Sequence, residues 1–416
     1  MNYILSIKNF NLKSFLLLLY CLIPLSLVTG SFVPDLFVSI ISVTFLYYCL
    51  KEKIFSYFNN KFFLIFIIFY FILILSSIIN NLIFSNLIIF YIRFGIFVIA
   101  TSYLIQTNKK FINILFFSIF FTLLILCIDS YFQYFFGINF SGNEYPGIYS
   151  NDHPRLNSFF GKEYKLGSFI VRLLPFFIFI YLKTKAVNKF IIFFLLILLS
   201  GVIFLSGERS SFLLLFIIIF FLFFYKKKTT VLFAAILFLT LIFFYHYSAQ
   251  KGYTSRIIHL SYNIFSKSIN VEMDYKTKFA RIITDPYSLL NTEYKSIYSN
   301  SIKIFKDNLF FGSGPKSYRI ACKNYNAEAC TTHSHQTYLQ LLAETGLFGF
   351  LLMLFIFFYS LFSYFKNIKN NSYVSLIYLG IIINIWPITS SGNFFNNWLS
   401  VIIFFPIAFL LKNKKI

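Results

Sequence analysis

The residues most suited to chemistry gather between Thr331 and Phe350. Two histidines (His333, His335), two glutamines (Gln336, Gln340) and Glu344 stand together there, immediately before an apolar run. A neutral imidazole can take a proton near pH 7, so either histidine is a candidate general base. The plainer alternative is a pair of solvated histidines on a capped surface helix. Thr331 or Thr332 can cap such a helix. His335, Tyr338, Leu339 and Leu342 then share one helical face at offsets of three, four and seven, and Gly346 is placed to end it.

Cations recur in three other polar stretches: Arg155 to Ser168, the turn Ser206-Gly207-Glu208-Arg209-Ser210-Ser211, and Gly312-Ser313-Gly314-Pro315-Lys316-Ser317-Tyr318-Arg319. Arg209 is either half of a surface pair with Glu208, which is worth little, or an anion ligand. Arg93 and Arg172 lie inside apolar runs, where an arginine is a functional candidate by default and interior pairing is the alternative. Gly312-Ser313-Gly314 either presents backbone N–H groups to an anion or simply turns. Arginine forks grip phosphate oxygens in pairs. Arginines with a nearby histidine suit displacement at carbon with a phosphate leaving group, the guanidinium groups standing in for a metal. A metal site and a cofactor are not expected: the sequence has no CxxC pair, no His/Cys cluster at zinc spacing and no DxD motif.

These residues need a scaffold, and composition says what kind. The chain has 416 residues, 58% hydrophobic and 12% charged, with 62 Phe, which is membrane-protein composition. The formal net charge of +22 comes in ones to threes between apolar runs rather than as a basic face, so nucleic acid is not expected as a partner. A span needs roughly 17–25 apolar residues. Runs near that length occur at 14–30, 36–50, 62–79, 87–106, 111–129, 167–182, 190–206, 211–225, 229–247, 346–365, 373–389 and 399–411. The expected fold is therefore an all-α integral membrane protein with about twelve transmembrane helices, the first run being retained as a span rather than cleaved.

Charge orients it. With both termini cytoplasmic, the inner segments carry eighteen lysines, among them Lys51, Lys110, Lys189, Lys226 and Lys366, while the four short outer loops carry only Arg209. Every acidic residue except Glu52, and all five histidines, fall on the outer side or its edge. The division is an N-terminal bundle of about nine spans over 1–247 with an outer loop at 130–166, a long outer segment at 248–345, and three C-terminal spans over 346–416. In the outer segment Tyr294, Ile297, Tyr298, Ile302 and Phe305 recur at helical spacing, as on a helix lying at the membrane interface. Cys322 and Cys330 are its only cysteines and are expected to pair in an oxidising compartment. Cys21, Cys49 and Cys127 read as small core residues.

Several of these features together resemble the superfamily of O-antigen ligases and polymerases, bacterial inner-membrane glycosyltransferases. The similarity rests on His333-Ser334-His335-Gln336-Thr337-Tyr338-Leu339-Gln340-Leu341-Leu342-Ala343-Glu344-Thr345-Gly346 closing a late outer loop, with Gln336 where several members have Asn. The upstream Gly312-Ser313-Gly314 turn, Arg155 with its Phe159-Phe160-Gly161 sequel, the Arg209 turn and the tail from Trp386-Pro387 to Trp398 are similar as well. The resemblance spans roughly residues 125 to 400. It implies a GT-C-like bundle with one long periplasmic loop, metal-independent and inverting. The implied donor is a glycan on undecaprenyl pyrophosphate and the acceptor a lipid A core sugar. His335 is the implied base and His333 the alternative. Arg155, Arg209, Arg319, Lys316 and Gln336 are implied on the pyrophosphate and glycan.

A polymerase of the same superfamily, adding to a growing glycan, is the nearest alternative. A twelve-span transporter is the more distant one, disfavoured because no repeat relates the halves and the polar residues collect on the outer face. The orientation is testable directly. A cysteine placed at position 270 should react with an impermeant thiol reagent added to intact cells, and one at 227 should not; labelling at 227 would overturn the orientation.

Overall fold

The computed structural model describes residues 12–145, 155–161, 163–250, 292–328, 330–370 and 372–411. Among them the chain is helical with no strand, apart from an isolated bridge between Ile138 and Glu144. Each apolar run named above holds a helix: α1 (Leu12–Ser26), α2 (Phe32–Glu52), α3 (Lys61–Ile79), α4 (Ile92–Thr107), α5 (Phe111–Phe136), α6 (Leu166–Thr184), α7 (Lys189–Leu205), α8 (Arg209–Tyr225), α9 (Lys227–Gln250), α12 (Thr337–Lys369), α13 (Ser375–Asn384) and α14 (Asn397–Ile407). Two polar helices, α10 (Thr292–Asp307) and α11 (Tyr318–Ala321), precede α12. Among the described residues, seven helices are long and apolar enough to cross a membrane, and α1, α7, α8, α13 and α14 are shorter apolar ones. The protein is an all-α, multi-pass membrane protein. His153 and His259, and the segment from 251 to 291, lie outside the described residues, as does the side chain of His246.

α4 and α6 are enclosed on most sides, whereas α3 and α9 turn most of their apolar surface outward. With no water to drive association in hydrocarbon, close approach and interhelical hydrogen bonds hold such helices. Gly95 on α4 allows one such approach, since a Cβ there would lie 2.4 Å from the Phe66 ring of α3. The Tyr20 hydroxyl donates to the Phe97 carbonyl at 3.3 Å and that of Thr101 donates to Tyr20 at 2.9 Å, tying α1 to α4. Asparagine side chains cap α3 (Asn60), α7 (Asn188) and α14 (Asn396) by accepting from N–H groups of the first turn.

The helix carrying Glu344 does not stop at Gly346 as expected. It breaks there, with φ 64° and ψ −160°, and resumes at once. A break strands carbonyls before it and N–H groups after it. The segment 309–314 satisfies both: the N–H groups of Ser313 and Gly314 donate to the carbonyls of Ala343 and Glu344 at 2.9 and 3.0 Å, and that of Leu347 donates to Leu309 at 2.8 Å. The Gly312-Ser313-Gly314 turn therefore does not hold N–H groups out to an anion, because Gly312 N–H is also used, on Asn308 at 2.9 Å. From α3, the Asn80 amide donates to Gly312 at 3.0 Å and the Ser76 hydroxyl to Phe311 at 2.5 Å.

α10 also differs from expectation. Ile297 and Ile304 are buried with Tyr318, Cys322 and Ala343, while Ile302 faces outward. Ile304, not Ile302, extends the apolar stripe, so the helix braces the head of α12 rather than lying apolar side down on the membrane.

Gly312→Ala tests the close approach. Gly312 and Gly142 both have positive φ, 67° and 82°, which costs a residue with a Cβ about 1–3 kcal/mol. A Cβ on Gly312 would sit 2.4 Å from the Glu344 carbonyl carbon, whereas one on Gly142 meets nothing within 4 Å. Gly312→Ala should therefore lower the unfolding temperature in detergent more than Gly142→Ala does; equal losses would show that the approach contributes nothing.

Candidate functional site at the head of α12

The histidine loop is fixed at both ends. Upstream, Cys322 and Cys330 are joined by a disulfide with Cα atoms 5.4 Å apart, the expected pairing. Downstream, α12 begins at Thr337, and Gln336 rather than Thr331 or Thr332 caps it, its side-chain oxygen accepting from Leu339 N–H. The threonines serve the loop instead. Thr331 donates to the His333 carbonyl at 2.6 Å, and the Thr332 hydroxyl lies 2.9 Å from His333 Nδ1. His335 consequently stands outside the helix in a left-handed conformation, φ 57°. It does not share a helical face with Tyr338, Leu339 and Leu342. Its ring packs on His333, centroids 4.2 Å apart, and meets Tyr294 of α10 edge-on at 6.0 Å.

The second wall is the segment between α13 and α14. Gln336 donates to the Pro387 carbonyl at 2.7 Å, Thr337 to the Ser391 hydroxyl at 2.8 Å, and Ser391 N–H to the His335 carbonyl at 2.9 Å. Buried Gln340 accepts from Phe394 N–H at 2.9 Å and donates to Asn393 at 2.8 Å and to Glu344 at 3.0 Å. Glu344, wholly buried, also accepts from Tyr318 N–H at 2.9 Å.

The two histidines are not equivalent. His333 Nε2 lies 3.2 Å from the Ser391 carbonyl, which can only accept, so this nitrogen carries the proton and Nδ1 accepts from Thr332. Both nitrogens of His333 are thereby engaged. Among the described residues, neither ring nitrogen of His335 has a hydrogen-bond partner. Burial and then the adjacent His335 push His333 down to about 4, and burial holds His335 below the ordinary imidazole value. Two rings this close resist double protonation, so at neutral pH His335 offers an unprotonated, unengaged nitrogen.

The predicted cations are distributed around this loop, and no hydrogen bond joins Arg155, Arg209 or Arg319 to either histidine among the described residues. Arg155 lies over the Tyr164 ring at 5.2 Å. Its segment docks on α5, where Ser158 donates to buried Asp129, and Gln133 accepts from Ser158 N–H at 2.9 Å. Arg209 is exposed at the first position of α8, and its guanidinium has no partner among the described residues. Glu208 does not pair with it. That carboxylate accepts from Gly167 and Ser168 N–H at 2.7 and 3.0 Å at the start of α6, and burial raises it to about 7. Arg319 is exposed, its carbonyl facing Cys330 Sγ. Lys316 is half-buried with φ 62°; burial and then Arg93 lower its ammonium, with Asp35 and Glu344 opposing.

Arg93 takes the pairing alternative, bridging to Asp35 at 2.6 Å. Buried Arg172 donates to the carbonyl and side-chain oxygens of Asn384, both at 3.1 Å. Tyr338 in turn donates to Ile385 at 2.9 Å. Polar contacts thus link the Glu208 turn through Ser168 and Arg172 to Asn384, whose neighbour Ile385 meets Tyr338 of α12. Sequence reasoning did not single out Asp35, Asp129, Asn384 or Ser391. The usable signal was a carboxylate or amide inside an apolar run, as with Asp129 and Asn384, because such a group needs a partner in hydrocarbon.

No curated protein matches the chain at significant similarity. Residues 192–354 match the family described as O-antigen ligase, a stretch that runs from α7 through the histidine loop and past the break in α12. Through that segment the chain is similar to the O-antigen ligase superfamily.

Proposed function

We propose that the protein is an O-antigen ligase-type glycosyltransferase of the bacterial inner membrane. It crosses the membrane twelve times with both termini cytoplasmic, and it moves a glycan from undecaprenyl pyrophosphate to a lipid A core sugar at the periplasmic face. The observation that carries this reading is His335: a neutral imidazole without a hydrogen-bond partner, inside the segment matched by the family. In the reaction, His335 takes the proton of the acceptor hydroxyl as its oxygen bonds to the anomeric carbon. The bond from that carbon to the pyrophosphate oxygen breaks on the opposite face, with inversion. The departing pyrophosphate carries the negative charge, which Arg209 and Arg155 neutralise from two loops. Arg209 suits the task because nothing in the described structure occupies its guanidinium, and a fork at a helix start places two kinds of donor on one anion. His333 then acts as a positioning residue, its ring locked between Thr332 and Ser391. Lys316, Arg319 and Gln336 are the remaining candidates for the donor's path.

Transfer of undecaprenyl-pyrophosphate-linked glycan to lipid A core should fall about 10²–10⁴-fold in His335→Ala, the usual contribution of a positioned base, with normal membrane insertion. Arg209→Ala should lose activity sharply, and Arg209→Lys should not restore it, because a point charge does not reproduce a fork. His333→Ala should be milder. The base must be unprotonated, and its value is lowered, so the acid limb of the rate profile should fall below the ordinary imidazole value of about 6.5. Near wild-type transfer in His335→Ala, or an acid limb above that value, would remove the base assignment. Loss of activity in EDTA restored by Mg²⁺ would remove the arginine role, and longer free glycans in place of substituted core would make the protein a polymerase.

A further inference from the structure

A large cavity lined by none of the histidine-loop residues is unaccounted for. It lies between α6, α7, α8 and α9, with a volume of about 790 Å³, within the roughly 300–1,000 Å³ typical of ligand cavities. Its walls are largely apolar, Leu174, Leu196 and Leu215 among them, and the exposed lining residues Lys189, Lys226 and Lys228 mark its mouth. These lysines sit where α7 and α9 begin and α8 ends, so all three belong to one end of the bundle. From Lys189 to Ser200, which also line the cavity, α7 advances about 16 Å at about 1.5 Å per residue. That is close to half of the ~30 Å hydrocarbon core of a bilayer.

We infer that this cavity is a binding site for an anionic phospholipid of the cytoplasmic leaflet, its acyl chain between the four helices and its phosphate on Lys189, Lys226 and Lys228. The depth matches one leaflet, the wall chemistry matches a hydrocarbon chain, and the charge of the mouth matches a phosphodiester. Basic pockets between transmembrane helices on the cytoplasmic side take such headgroups. The leaflet assignment rests on the orientation proposed above, whereas the choice of an anionic lipid rests on the cavity alone. The site stands at the opposite end of α8 from Arg209, so its occupant is distinct from a glycan donor at the outer face.

Protein reconstituted in nanodiscs of mixed phosphatidylglycerol and phosphatidylcholine, then released into detergent and weighed by native mass spectrometry, gives the test. The wild type should retain phosphatidylglycerol preferentially. The triple variant Lys189→Gln, Lys226→Gln, Lys228→Gln should retain roughly tenfold less or lower, and Leu196→Trp, which fills the cavity, should retain less of either lipid. Lys366→Gln with Lys369→Gln, charges outside the cavity, should match the wild type. Equal retention of the two lipids by the wild type, or unchanged retention in the triple variant, would overturn the proposal. Displacement of the lipid by millimolar inorganic phosphate would identify a phosphate site without a chain requirement and overturn it as well. None of these readouts uses glycan transfer.

Discussion

The histidine loop and the head of α12 depend on one exchange of backbone hydrogen bonds. α12 is broken at Gly346, and the orphaned groups on either side are taken up by the extended segment 309–314. Buried orphan groups are costly, so a break in a helix at this depth persists only if another piece of backbone satisfies it. Two glycines make the approach possible, since a Cβ on Gly312 or on Gly346 would collide with the opposing main chain at 2.4 Å. The first nine residues of α12 are thereby set apart from the rest of the helix, as a short head with its own partners.

The site is built on that head. Glu344 and Gln340, one turn apart on its buried side, fasten it to α11 and to the segment before α14. Gln336 begins it and reaches across to Pro387. The histidine loop is then confined between a disulfide and a helix start, with Ser391 touching both histidines, one through its carbonyl and the other through its N–H. Buried polar groups with all partners present give rigidity, and here they hold one imidazole engaged while its neighbour is left open.

The helices were legible from hydropathy alone, because a span must be apolar over its whole length and each predicted run indeed contains a helix. The histidine stretch was legible too, as a polar interruption in a monotonous chain. What was missed followed from reach and competition. Both threonines were plausible caps by type, but the glutamine side chain spans the distance to Leu339 and the threonines are drawn to His333. Glu208 and Arg209 are neighbours in sequence, yet the N–H groups at the start of α6 outbid the arginine for the carboxylate. The glycine turn at 312–314 left an anion site and a plain turn both open by composition, and only the path of the chain shows that its donors are already used. Spacing reveals which groups can meet; it does not reveal which of several acceptable partners each will take.

The order in which the chain is made gives the Gly346 break a further meaning. Its closest partners are near in sequence, with Ser313 meeting Ala343 across 30 residues and Tyr318 meeting Glu344 across 26. Closing loops of that size is entropically mild, and contacts so local form early. The anchors from α3 are of another kind, reaching Phe311 and Gly312 across 235 and 232 residues. The head of α12 can therefore assemble from its own neighbourhood as a finished plug, to be received by a socket on α3 that emerged from the ribosome long before it.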